Sequence, residues 1–552
     1  NQKLQIKYGN NIYALKRRNS ASHKNQLFVY YKCPQLPWID FYVTTSLKDS
    51  LNHKMLIHEI GISSSQKLTE DLTFYFPVFS IKNSDEVWLP LKNGTGKTIL
   101  DHSTNTKASF RCAGSPVHME NDLAIPLSLF TIRKNKVAVM TDPEFSSIFD
   151  NDIIYWTYPK EVGLEDKIEK RVIAEVSDII NPDDAINMYY KTLLKDIPIG
   201  PAWTKDIAMV SYDYMSDDGQ GWYHDIDSLI KYVSFTDRKK ILLTLHGWYD
   251  YVGRYCFNSK TGKLDNEWRS PLTKKNINLE DLHQRLQYAK DKGFKVAMYF
   301  ADGIISSDKL DDYSPDKAFK GGGWNGPDVL GKSYRRNIAV PEYYHFYLNY
   351  ATALFNEFGK EADLFVWDET YYIKAGNLGT PKYPSYLDRR FMHLVKEITA
   401  KLHKVNPGAA FMTSDLVGPD GTGYGGRGND NYSDVPPYAL FADGTYQDSH
   451  CLPMFWSYGI FPNYRNVVWS CNWTPVSKFD YTLFGVLQYQ APAVFTNGWG
   501  DNIGFSEMDQ KGKDNLIELF NYRKSFSTRL KWLKALPPFI NTCDPHPSDI
   551  RK

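Results

Sequence analysis

The chain has 552 residues, 42% hydrophobic and 23% charged, as expected of a globular protein long enough for several domains or for one large barrel with a companion domain. Lys+Arg 65 against Asp+Glu 64 leaves a formal charge of +1, so no whole-chain field draws in nucleic acid or a membrane surface, and no run of 18 apolar residues supplies a transmembrane helix. Aromatic residues are in surplus at 15%, and surplus rings often line grooves that receive flat apolar faces.

The start, NQKLQIKYGN, is polar and strand-like, unlike a signal or transit peptide; with the substrate class inferred below, the expectation is a secreted or periplasmic protein whose targeting segment has been removed. Six scattered cysteines without a C-x-x-C predict neither a zinc site nor a disulfide framework. Residues 1–180 read as β: LQIKYG, QLFVYYKC, WIDFYVTTSL, MLIHEIGI, LTFYFPVF, EVWLPL and KVAVMT are short, aromatic and β-branched, and separated by Asn, Gly, Ser and Pro turns, which predicts a β-sandwich. Asn181-Pro-Asp-Asp opens a helix, and 181–204 read as a linker ended by Pro198, Gly200 and Pro201.

From residue 205 to 530 short apolar runs alternate with amphipathic stretches, the grammar of βα units. Eight runs occur: 207–213, 241–247, 295–302, 362–369, 409–415, 438–444, 466–472 and 491–497. Their near-continuous apolar character suits strands buried on both faces. Leu279, Leu282 and Leu286 share a helix face between the Asn278 cap and the Gly293 stop; further helices start at Pro341 and end before Pro407. The predicted fold is multidomain: an N-terminal β-sandwich, then a (β/α)8 TIM barrel with long loops after runs two and three, and a tail at 531–552.

Function in such a barrel sits where strands end, and here the tips change character: YDY, HGWYDY, AD, WDE, SD, ADG, SCNW and TNGWGDN. Run four ends in Asp368 and Glu369. Successive strand residues point opposite ways, so only one faces the centre, and Asp368, nearer the strand, is the chosen one. Run six ends in Asp443, with Asp448 five residues on. Two carboxylates at opposite tips suit glycoside hydrolysis, one attacking the anomeric carbon while the other protonates the leaving oxygen. Trp248, Trp367, Trp473 and Trp499 are candidate stacking faces for a sugar. Asp213, His246, Asp250, Asp302, Glu369, Asp415 and Asn497 are candidate partners for its hydroxyls.

This layout, with the acids in FVWDE and FADGTYQD, resembles the α-galactosidase/α-glucosidase clan of retaining glycoside hydrolases. The resemblance implies Asp368 as nucleophile and Asp443 as acid/base, with Asp448 the alternative, acting without cofactor or metal on a terminal α-linked sugar in polysaccharide degradation. Val366-Trp367-Asp368 stands where α-galactosidases often carry Lys-x-Asp, and the Trp-x-Asp style is also similar to α-L-fucosidases, so the sugar stays open. The clan's small C-terminal β-domain is expected to be absent or truncated. The alternatives are a catalytically inactive carbohydrate-binding barrel, or a hydrolase of another barrel clan using Asp368 with Asp415 or a loop Glu. Gly94-Thr-Gly-Lys-Thr lacks the spacing of a P-loop, GGRGNDN lacks EF-hand spacing, and neither H-E-x-x-H nor G-x-S-x-G occurs.

Overall fold

The computed structural model describes most of residues 4–447 (outside mainly 100–106, 111–122, 159–168, 216–219, 320–332, 371–386 and 415–440), then 465–468, 492–497 and 503–525. The chain divides into two units, Asn1–Ile197 and Pro198–Lys552.

The first unit is built from two antiparallel sheets, one of six strands and one of nine. Alternation along the strands sends one set of apolar side chains inward from each: Ile6, Leu72 and Phe74 from the six-stranded sheet meet Phe41, Val43, Ile60, Ile62 and Ile173 from the nine-stranded one in a single core. Phe41 and Phe74 touch edge to face, centroids 5.5 Å apart. The helix Pro182–Thr192 belongs to this unit; Asn181 caps it, its side chain accepting from the Asp184 N–H at 2.9 Å.

The second unit holds an eight-stranded sheet. Its strands are β1 (Met209–Asp213), β2 (Ile241–Leu245), β3 (Lys295–Asp302), β4 (Leu364–Asp368), β5 (Ala410–Ser414), β6 (Gly444–Gln447), β7 (Arg465–Val468) and β8 (Ala493–Asn497). Every pairing among them is parallel, and the order runs β7-β6-β5-β4-β3-β2-β1-β8, which brings the last strand beside the first. Helices α1 (Gln220–Tyr232), α2 (Leu279–Asp291), α3 (Pro341–Phe358) and α4 (Leu387–Val405) follow β1 to β4, and α5 (Gln510–Ser525) follows β8. Asn278 caps α2 by accepting from Asp281 N–H at 2.8 Å, and Gly293 leaves it at φ +91°, a conformation that costs a residue with a Cβ. Every residue of β1 and β2 is buried, as continuous apolar runs require.

One strand departs from the sequence expectation. The sixth strand starts at Gly444, the last residue of the apolar run 438–444, and its sequence is the polar GTYQ. Asp443 therefore stands at the beginning of β6, not at its tip.

The loops after β2 and β3 are long and folded. The first carries the hairpins Phe257–Asn258 with Lys263–Leu264 and Glu267–Arg269 with Asn276–Asn278; the second carries a three-stranded sheet of Ile305–Ser307, Ser333–Arg336 and Ala318–Phe319. Arg336 ties them together. Its buried guanidinium donates to Gly253 O of the first loop at 2.6 Å and to Asp312 of the second at 3.0 Å, and lies 4.0 Å from the ring centre of Phe346 on α3.

Candidate functional site

The direction of each side chain at the strand tips follows from its neighbours. On β4, Phe365 meets Phe355 of α3, and Trp367 meets Tyr347 of α3 and Phe391 of α4, with centroids 4.8, 5.1 and 4.9 Å apart. These two face the helices. Alternation then turns Leu364, Val366 and Asp368 to the opposite, inner side, and Asp368 is the one β4 residue that is not fully buried. Asp368 thus closes the strand on the inner side, with some access to solvent.

The inner layer beneath it is aromatic. On β3, Phe300 contacts Tyr350 and Phe355 of α3, so Tyr299 takes the inner side. Its ring meets His246, just beyond β2, edge-on at 3.9 Å, and His246 in turn meets Tyr212 of β1 at 4.8 Å. Burial holds the His246 imidazole well below its ordinary pKa, so the ring is neutral at pH 7 and offers one donor and one acceptor. Tyr212 and Tyr299 were not among the candidates read from the sequence. Their signal was parity: each lies on the inner side of a strand whose polar tip had drawn attention to another residue.

A β-bulge in β3 shapes the rim. The register runs Tyr299↔Val366 and then Ala301↔Trp367, leaving Phe300 as an extra residue, so that Asp302 comes level with Asp368 as its Cα partner. In a regular strand of the same length, without the bulge, alternation from Tyr299 would put position 302 on the other face.

Other candidates lie elsewhere. Asp443 is level with Phe411, near the start of β5, and accepts from Phe411 N–H at 2.7 Å and from His403 Nε2, in the last turn of α4, at 2.9 Å. It lies at the end of the sheet opposite to Asp368 and points to the helix layer, which corrects its expected place as acid/base. Burial pushes its carboxyl pKa up, against the opposing pull of His403 and the Phe411 N–H. Asp213 lines a small cavity with Trp222 and Asp225 of α1, so it faces the helices rather than the inner layer. Asp250 is spent inside its own loop, in an ion pair with Arg254 and accepting from Cys256 N–H at 2.9 Å. Trp248 and Trp367 are both 0% exposed; the first has its carbonyl bonded by Trp268 Nε1 at 2.6 Å, and the second is wedged between β4 and two helices. Neither ring offers a face to a sugar. Asn497 ends β8. Glu369, Asp415, Asp448, Trp473 and Trp499 lie outside the described residues. Among the described residues no group of three His, Cys, Asp or Glu side chains is arranged to hold a metal, and no helix is long and apolar enough to cross a membrane.

No protein-family model and no curated protein matches the chain. Solved structures do. The GH36 α-galactosidase AgaA from Geobacillus stearothermophilus superposes with a TM-score of 0.55 at 10% identity over 96% of this chain and 76% of its own. A variant of the same protein in complex with raffinose gives 0.56 at 10% identity, with the same coverage of both chains. An α-galactosidase from Lactobacillus brevis gives 0.52 at 10% identity, over 96% of this chain and 73% of its own. The chain has the fold of the GH36 α-galactosidases along nearly its whole length.

Proposed function

We propose that this protein is a retaining glycoside hydrolase that removes a terminal α-linked sugar, built as an N-terminal β-sandwich followed by a (β/α)8 barrel. One observation carries the reading: Asp368, on the inner side of β4 at its C-terminal end, stands over a neutral, buried aromatic layer in a fold shared with α-galactosidases. Asp368 is the nucleophile, attacking the anomeric carbon to form a glycosyl ester. An acid on the strand-six side protonates the departing oxygen and then takes a proton from the water that resolves the ester. Asp448 is our choice for that acid, because it directly follows Gln447, the last residue of β6, whereas Asp443 precedes the strand. His246, kept neutral, binds a hydroxyl without adding charge beside the nucleophile. Asp302 anchors another hydroxyl from the neighbouring strand.

A panel of nitrophenyl α- and β-glycosides tests this. Release from one α-glycoside, an α-configured first product by NMR, and loss of turnover in Asp368→Ala and Asp448→Ala are the expected results. Near-normal turnover in Asp368→Ala overturns the assignment of the nucleophile, and a β-configured first product overturns retention.

A further inference from the structure

The balanced charge of the whole chain hides a local imbalance. Residues 1–39 contain seven Lys and Arg and no Asp or Glu. Four of the seven gather on one edge of the nine-stranded sheet: Lys16, Arg17 and Arg18 on the outermost strand, Lys16–His23, and Lys24 in the turn that follows. All four are exposed, and none forms an ion pair with any described residue.

The face beside this edge is aromatic. Val29, Phe41 and Val43 point to the core, so Phe28, Tyr30 and Tyr42 on the same two strands point outward. The Tyr42 ring lies flat on Gly61 of the next strand, where an added Cβ would come within 1.8 Å of it. Phe28 is offset-stacked on Tyr42, centroids 5.6 Å apart and planes 29° from parallel, and remains 40% exposed. Tyr30 hydroxyl donates to Asp40 at 2.5 Å, and Lys32 pairs with the same carboxylate, so the polar groups bordering the rings are held in place.

Charge on an edge strand by itself protects against edge-to-edge pairing. Protection does not explain an exposed aromatic stack next to that charge, since an apolar ring there favours the very association that the charge opposes. We infer that this edge and face form a docking surface for an acidic polysaccharide, Phe28 and Tyr42 taking the C–H face of a sugar ring while Lys16, Arg17, Arg18 and Lys24 take the carboxylates along the chain. The charge complementarity selects the occupant: guanidinium forks match carboxylates in pairs, and a flat ring matches a pyranose. The surface lies wholly in the first unit.

Binding of the full-length protein to polygalacturonate, neutral galactan and a single-stranded DNA oligonucleotide is measured by affinity electrophoresis and titration at low and high salt. Polygalacturonate is expected to bind more tightly than either of the others, and more weakly as salt rises. Arg17→Glu/Arg18→Glu weakens that binding at least roughly tenfold and Phe28→Ala about fivefold, with thermal unfolding unchanged. Lys231→Glu/Lys511→Glu, an equal charge change at exposed positions of the second unit, leaves it intact. Equal binding to DNA, equal loss in the control variant, or no loss in Phe28→Ala each overturns the inference, because each reduces the effect to bulk charge. Binding is read without turnover, so the result is independent of whether the strand tips hydrolyse a glycoside.

Discussion

Two carboxylates at opposite ends of the same parallel sheet show what position does to an acid. Asp368 ends β4, faces inward and keeps some contact with solvent. Asp443 begins β6, is 1% exposed, and is clasped by a backbone N–H and an imidazole from α4. The proposed function gives the first the chemistry; the second holds a helix to the foot of the sheet. Buried charge without access to a ligand serves architecture; the same group at a strand's C-terminal end is available to a substrate.

That contrast predicts opposite signatures in mutants. Asp368→Asn is expected to cut kcat roughly 10^3-fold or more while shifting Tm little; a matched loss of stability would show that Asp368 is also structural. Asp443→Ala is expected to do the reverse, costing about 3–5 kcal/mol in denaturant unfolding because His403 and the Phe411 N–H lose their shared acceptor. Selective loss of turnover in Asp443→Ala at unchanged Tm would erase the distinction between the two ends.

A third buried acid sharpens the comparison by pH. Asp225 on α1 accepts from Ser506 N–H at 2.6 Å and Ser506 Oγ at 2.7 Å, and burial pushes its pKa from 3.8 up to about 6. A folded pKa above the unfolded one means that the folded state binds the extra proton. This contribution is complete below about pH 4 and is lost as pH rises through about 6. Asp225→Asn should remove that slope, worth of order 2–3 kcal/mol between pH 4 and 7, as read from urea midpoints; an unchanged slope would mean that the group titrates normally.

The smallest effect belongs to the surface. His283 of α2 bridges Glu361 at 2.7 Å and Glu357 of α3 at 3.0 Å; partial burial opposes its charging, but the two carboxylates hold its pKa above the ordinary value. Its contribution is full below the ordinary histidine pKa and disappears as pH rises through the raised one. Solvent screening keeps it under about 1 kcal/mol, so His283→Gln should lower Tm slightly at pH 5.5 and not at pH 9.

Much of this was legible in the sequence. The strands other than β6 lie within the apolar runs, save that β7 begins one residue early at Arg465, because strands buried on both faces leave few polar positions, and Asn278, Gly293 and Pro341 mark helix ends by backbone chemistry alone. The sixth run misled because the apolar 438–442 precede β6, while the strand itself is four mostly polar residues; hydrophobicity located the wrong segment, and Asp443 moved from tip to foot. The aromatic surplus was legible as an amount but not as a place. Tyr347, Tyr350, Phe355 and Trp367 are spent packing α3 against the sheet, and a count of rings cannot tell a buried one from a binding one. Asp250 was read as free to bind because Arg254, four residues on, is visible as its partner only once the loop is folded.

The extra residue in β3 has a consequence for how this chain can change over time. Deleting Phe300 would restore a regular ladder with Asp302 still level with Asp368, whereas straightening the bulge with that residue retained would swing Asp302 to the far side of the sheet. Relatives that keep the same rim are therefore expected either to carry the bulge or to be one residue shorter there, and not to combine the present length with a regular strand.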